Sequence, residues 1–205
     1  MTPRQIDYFF KVLSEQLDHE ARAILTGAAA GALWGRVRPS VDVDFALELR
    51  HRDARSWEKI EKAVERTTRL TGIQANYAED IDRWGLISLM DYENHTRLYR
   101  RFGLLRLELL EPAYWSIGKM TRYLEPDIQD MIGVFRRQHI GWKALVAIWG
   151  KALRASPRSA TLAQFRRQVE DFLRHYGRSL WGKTFPLDLA VKRFHTFARI
   201  RTLSA

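Results

Sequence analysis

Residues 23–44, AILTGAAAGALWGRVRPSVDVD, decide the fold of this chain. Ala23–Thr26 is a short apolar run that ends at Gly27, and this pattern predicts a strand. The small residues of Ala28–Trp34 predict a short helix, and the alternation along Val41–Leu49 predicts a second strand. Because glycine has no Cβ, the turn after the first strand lets an anion such as phosphate approach the backbone. The stretch therefore predicts a strand, a turn open to phosphate, a helix and a strand.

Two carboxylates stand at the start of the second predicted strand. Asp42 and Asp44 are two positions apart, so their side chains point to the same face. Neighbouring carboxylates repel each other, and a hard divalent cation such as Mg²⁺ or Mn²⁺ relieves that repulsion. A solvated strand face is the simpler interpretation of this pair taken alone. The glycine turn that precedes it favours a site for a metal ion and a phosphate.

The rest of the chain divides into a part with strands and a part with helices. Thr2 and Pro3 begin a helix that is expected to end near Glu20. A charged helix is expected from Asp53 to about Thr71. Further strands are predicted at Gln74–Ala78, Leu86–Met90, Arg97–Phe102 and Leu104–Leu110. Helices are predicted at 112–124, 126–138, 141–155, 161–176 and 186–202. The pattern predicts an α+β fold, with a mixed β-sheet and flanking helices in a domain over residues 1–111 and a helical lobe over residues 112–205.

The charge of the chain is unevenly distributed. The 205 residues carry 34 Lys+Arg and 24 Asp+Glu, a net charge of +10. Residues 1–110 contain 17 of each kind, whereas residues 111–205 contain 17 Lys+Arg and 7 Asp+Glu. A basic helical lobe is suited to a polyanion such as RNA, although solvated helix faces account for the same counts. Four tryptophans in the basic part are candidates either for base stacking or for the core: Trp115, Trp142, Trp149 and Trp181.

Composition excludes several classes of site. The chain has no cysteine, which removes disulfides, thiol nucleophiles and thiolate metal sites. Its six histidines are scattered without the spacing of a zinc site. No apolar run reaches the roughly 18 to 20 residues that cross a bilayer, and Met1–Glu20 carries four acidic residues, unlike a targeting peptide. We therefore expect a cytoplasmic protein without a membrane partner.

The glycine turn and the acidic pair resemble the nucleotidyltransferase superfamily, in particular abortive-infection AbiEii-type proteins and their uncharacterised relatives. The resemblance covers roughly residues 22–131 and rests on Gly27, Ala28, Ala29, Ala30, Gly35, Arg38, Ser40, Asp42 and Asp44. It implies a nucleotidyltransferase-like sheet that moves a nucleotide from an NTP to a hydroxyl or phosphate acceptor, with Mg²⁺ or Mn²⁺ as cofactor. It further implies that Gly27, Ala28, Arg38 and Ser40 bind the nucleotide. RNA, such as tRNA, is the expected acceptor, and an antitoxin protein is an expected partner if the chain is a toxin or phage-defence protein.

The same resemblance implies a third acid and a basic residue farther along the chain. Glu108 stands where the superfamily has its third metal carboxylate, so Asp42, Asp44 and Glu108 are the expected catalytic and metal-binding set. Glu111 is a rival for the third position, although strand alternation places it on the other face. The expected phosphate contact is Lys119, with Arg122, Asp127 and Asp130 as supporting residues.

Two substitutions within the motif leave a second interpretation open. Ala28 stands where the family has glycine or serine, and Glu108 stands where it usually has aspartate. A catalytically degenerate protein of the same fold, which binds a nucleotide or a partner without transfer, is the alternative function. A plain RNA-binding protein is less favoured because no RRM or KH signature is present.

Overall fold

The computed structural model describes residues 1–35, 41–49 and 53–200. Within these ranges the chain forms two units, one drawn from residues 1–81 and 93–111 and the other from residues 82–92 and 112–200. The sequence prediction counts 82–92 with the first domain, whereas the structure groups this segment with the helices. A mixed five-stranded sheet and, within the described ranges, eight α-helices confirm the α+β class.

Most elements lie close to their predicted positions. The helices are α1 Pro3–Glu15, α2 Gly27–Leu33, α3 Ala54–Thr71, α4 Pro112–Arg122, α5 Glu125–Arg137, α6 Trp142–Ala155, α7 Ala160–Trp181 and α8 Leu187–Ala198. The strands are β1 Ala21–Leu25, β2 Asp42–Leu49, β3 Gln74–Ala78, β4 Arg83–Trp84, β5 Ile87–Ser88, β6 Thr96–Phe102 and β7 Leu105–Leu110. The predicted extension of α1 to Glu20 is wrong, because the chain turns after Gln16, whose N–H bonds to the carbonyl of Leu13.

The sheet has the strand order β3-β2-β1-β7-β6. Strand β1 is antiparallel to β2 and parallel to β7, and β2 is parallel to β3. A tight hairpin at Gly103 joins β6 to β7, and this glycine has φ of 49°. The carboxyl ends of β1 and β7 therefore meet the beginning of β2 at one edge of the sheet.

In the first unit, the faces of the sheet differ in polarity. Val43, Phe45 and Leu47 of β2 are buried and alternate with Asp42 and Asp44, so the strand has one apolar side and one polar side. Phe9 and Phe10 of α1 contact Phe45 edge to face, with ring centroids 6.1 and 5.4 Å apart. This packing leaves the acidic pair on the opposite side of the sheet.

The second unit has a core of aromatic side chains from its helices. Trp149 of α6 is fully buried, contacts Phe172 of α7 edge to face, and donates its indole N–H to Ser116 of α4 at 2.9 Å. Gly150 allows α6 and α8 to approach closely, since a Cβ there would lie 2.5 Å from Cβ of Phe197. Across the described ranges, no helix is long and apolar enough to cross a membrane.

Candidate functional site

The acidic pair lies at the beginning of β2 beside a polar residue of the next strand. Asn76 of β3 is in register with Asp44. Its amide nitrogen donates to Oδ2 of Asp42 at 2.9 Å and to Oδ1 of Asp44 at 3.0 Å. One amide therefore bridges the two carboxylates and holds them toward the same point.

The glycine turn packs directly against Asp44. Gly27 has φ of 57°, and a Cβ at this position would lie only 1.9 Å from Oδ2 of Asp44. The backbone N–H of Thr26 also donates to the carbonyl of Asp44 at 2.8 Å. Glycine is required here for two reasons, the left-handed backbone and the absence of space for a side chain.

Asn76 is the site residue that sequence reasoning missed. The period-two pattern of β3 places Gln74, Asn76 and Ala78 on one face. Nothing in that pattern says which strand lies alongside β3. The parallel pairing of β2 with β3 is what brings Asn76 to the acidic pair.

The structure does not bring Glu108 to the acidic pair. Its side chain lies on the same face of the sheet, since Glu108 is in register with Ile24 and Ile24 is in register with Ala46. However, β1 separates β7 from β2. In addition, Glu108 is level with Ala46 of β2, which is two residues beyond Asp44. Ideal strand spacings then place the two Cα atoms on the order of 12 Å apart.

Glu108 belongs instead to a buried cluster of charges. Arg22 donates to its Oε2 from Nε at 3.0 Å and from Nη2 at 2.7 Å, and Thr96 and Arg106 also contact the carboxylate. Burial alone would raise the pKa of Glu108, but the hydrogen bonds from Arg22 and Thr96 outweigh burial and hold this pKa below its ordinary value. The rival acid, Glu111, lies beyond β7, with its carboxylate 3.4 Å from His95.

The side chains at this site are better suited to bind one hard cation through two carboxylates than to form a metal site with three carboxylates. Within residues 1–35, 41–49 and 53–200, no three His, Cys, Asp or Glu side chains are grouped so as to hold a metal ion. Two carboxylates from Asp42 and Asp44 are nevertheless the protein share of many Mg²⁺ sites, where substrate phosphates and water complete the shell. The absence of a side chain at Gly27 leaves the backbone beside Asp44 accessible to such a phosphate.

The predicted supporting residues of the second unit form a buried ion-pair network. Nζ of Lys119 lies 2.9 Å from Oδ1 of Asp127 and 2.8 Å from Oδ2 of Asp130, and the lysine is 2% exposed. Arg122 donates to both oxygens of Asp127. Burial would raise the pKa of Asp127, but the hydrogen bonds from Arg122 and Lys119 lower it. The structure thus brings these four residues together, and a phosphate contact by Lys119 stays a prediction.

The structure says less about the other residues that were predicted to bind the nucleotide or RNA. Arg38 and Ser40 lie outside the described residues. Ala28 lies in the first turn of α2 and is partly exposed. Trp115 and Trp149 are 2% and 0% exposed, so the structure assigns these two rings to the core rather than to base stacking.

Comparison of the chain with protein-family models, with curated proteins and with solved structures found no match.

Proposed function

We propose that the first unit is the core of a Mg²⁺- or Mn²⁺-dependent nucleotidyltransferase that moves a nucleotide from an NTP to a hydroxyl or phosphate acceptor. The observation that carries this proposal is the contact of Asp44 with Gly27, beside Asp42 and at the turn that follows β1. A glycine turn against a strand-borne acidic pair suits a metal-bound nucleotide, because the turn accepts a phosphate and the carboxylates accept the cation. The nucleotidyltransferase-like fold is part of the same proposal.

Each residue of this site has a separate task. Asp42 and Asp44 hold the cation, and Asn76 orients both carboxylates through its amide N–H contacts. Gly27 keeps the backbone open to the phosphates of the NTP. A bound Mg²⁺ would neutralise charge on the triphosphate and would lower the pKa of the attacking hydroxyl. Positioning of the NTP by this chain then supplies the rest of the acceleration.

RNA is the acceptor that the charge favours. Residues 112–205, which include the helices α4–α8, carry 17 Lys+Arg against 6 Asp+Glu. Such a surplus attracts the phosphate backbone of a nucleic acid. A role as toxin, with an antitoxin protein as partner, follows from the resemblance and predicts that expression of the chain slows growth while an Asp44→Asn variant does not.

Label transfer tests the proposed activity. The chain is incubated with α-labelled NTPs, Mg²⁺ and total RNA, beside Asp44→Asn and a matched Glu15→Gln variant. Glu15 is an exposed acid of the same unit, at the end of α1. We expect label on RNA with the unchanged chain and with Glu15→Gln, and none with Asp44→Asn. Transfer that survives in Asp44→Asn, or that never occurs, contradicts the proposal.

A second candidate function is nucleotide binding without transfer. The observation that favours it is the engagement of Glu108 by Arg22, Thr96 and Arg106, so that among the described residues no third carboxylate joins the acidic pair. Calorimetry with ATP and Mg²⁺ separates the two candidates. Tight binding, without turnover on any acceptor, establishes the second.

A further inference from the structure

A cleft in the second unit has no role in the proposed nucleotide site. Its volume is about 380 Å³, and its walls come from Tyr123, which follows α4, and from one side of α7. The α7 residues are Arg167, Gln168, Glu170, Asp171 and Arg174. We call it the α7 cleft. Pockets of this size accommodate one small ligand or one unit of a longer one.

The two carboxylates of the α7 cleft are already paired. Oε1 of Glu170 accepts a hydrogen bond from Arg166 at 2.6 Å and lies 2.7 Å from Nε2 of His195. Burial would raise the pKa of Glu170, but these two partners outweigh burial and lower it. Asp171 accepts the hydroxyl hydrogen of Tyr123 at 2.7 Å and lies 3.0 Å from His175. Arg166 therefore balances the charge of Glu170, whereas the hydroxyl of Tyr123 is a neutral partner of Asp171.

The two arginines of the cleft have no such partners. Arg167 and Arg174 are exposed and are seven residues apart, so they lie on one side of α7, about 10 Å apart along the helix axis. In the part of the chain that the structure describes, neither guanidinium has an ion pair or a side-chain hydrogen bond. The cleft thus has a guanidinium without a direct partner at each end, with Asp171 between them.

Between the arginines lies a buried acceptor that lacks a donor. Gln168 is 9% exposed, and its Oε1 has no hydrogen-bond partner. Buried polar atoms are almost always satisfied, and a rotation of this side chain toward the cleft would let a bound ligand donate to its oxygen. Tyr123 adds an aromatic wall and stays protonated, because burial and its bond to Asp171 raise its pKa.

We propose that the α7 cleft binds one nucleotide of a single-stranded RNA, with Arg167 and Arg174 on neighbouring phosphates and the base between them. Guanidinium groups match phosphate oxygens, and an aromatic wall suits a flat base. Every base carries an N–H donor, either an exocyclic amine in adenine, cytosine and guanine or the ring N3–H in uracil, and this group supplies the donor that Gln168 lacks. An acidic peptide fits less well, because the surplus of positive charge in residues 112–205 favours a polyanion. This inference rests on the proposed use of RNA as acceptor.

Fluorescence anisotropy with labelled oligoadenylate, oligocytidylate and oligouridylate tests it without any turnover. The full chain is compared with R167E/R174E and with K151E/R154E, which reverses two exposed charges on α6 of the same unit. We expect R167E/R174E to weaken oligoadenylate binding at least tenfold more than K151E/R154E. Loss of two phosphate contacts also reduces the slope of log K against log salt by about 1.4. Circular dichroism verifies that both variants are folded.

Removal of the amide oxygen tests the role of Gln168. We expect Gln168→Leu to weaken the binding of all three strands while leaving the salt slope unchanged. Equal losses from the two charge reversals, an unchanged affinity of Gln168→Leu for all three strands, or equally strong competition by polyglutamate would overturn the inference. Binding that meets these expectations without label transfer would support the cleft and reject the transferase, whereas transfer unaffected by R167E/R174E would do the reverse.

Discussion

Substitution of Gly27 by alanine tests the glycine turn most directly. Gly27 has φ of 57°, and the new Cβ would meet Oδ2 of Asp44 at 1.9 Å. A left-handed backbone costs a residue with a Cβ about 1 to 2 kcal/mol. The carboxylate must also retreat by about 1.5 Å to reach ordinary contact distance. That movement breaks its hydrogen bond with Asn76, and a bond to a charged group is worth about 1.5 to 3 kcal/mol.

Gly72→Ala is the matched control for this substitution. Gly72 follows α3 in the same unit with φ of 70°, and no heavy atom lies within 4 Å of its added Cβ. This variant therefore has the backbone cost alone. Urea unfolding is expected to show that Gly27→Ala lowers the free energy of unfolding by about 1.5 to 3 kcal/mol more than Gly72→Ala does. Manganese titration by calorimetry is expected to show weakened binding for Gly27→Ala only. Equal destabilisation by the two alanines, with equal manganese affinity, would refute the packing of Asp44 on the turn.

Three further predictions concern charges. Asn76→Asp adds a third carboxylate and should tighten manganese binding about tenfold by calorimetry, whereas Asn94→Asp, the same change at an exposed position of the first unit, should not. Lys119→Met leaves a buried carboxylate pair without its ammonium and should lower the free energy of urea unfolding by about 3 to 5 kcal/mol; a loss below about 1 kcal/mol contradicts the pairing. Glu108 has a lowered pKa, so its contribution to stability is complete above its ordinary value of 4.5 and is lost as pH falls below it. Thermal unfolding of Glu108→Gln should therefore depend less on pH in that acidic range than unfolding of the unchanged chain.

Much of the fold could be predicted because it depends on local periodicity. Alternation along 41–49 placed Asp42 and Asp44 on one face of a strand, and the structure has β2 there. The αL positions at Gly27 and Gly103 follow from the permissive backbone of glycine. The end of α1 was less predictable, because Leu17 continues the helical spacing of the apolar residues Phe10 and Leu13 beyond the last helical turn.

The composition of the candidate site was harder to predict because it depends on which strands are neighbours. Alternation put Glu108 on the polar face, and the sheet has it on that face, but β1 lies between β7 and β2. Arg22, on that intervening strand, donates hydrogen bonds to the carboxylate of Glu108. No local pattern in the sequence predicts such a contact between residues 86 positions apart.

By itself, the sequence determined most of the helices and strands of this protein, the shared face of Asp42 and Asp44, and the uneven charge, because each depends on residues close together in the chain. Only the tertiary structure decided that Asn76 bridges the two carboxylates, since the parallel pairing of β2 with β3 puts it there. Strand order also decided that Glu108 is paired with Arg22, because side chains on the same face of a sheet meet only when their strands and registers coincide.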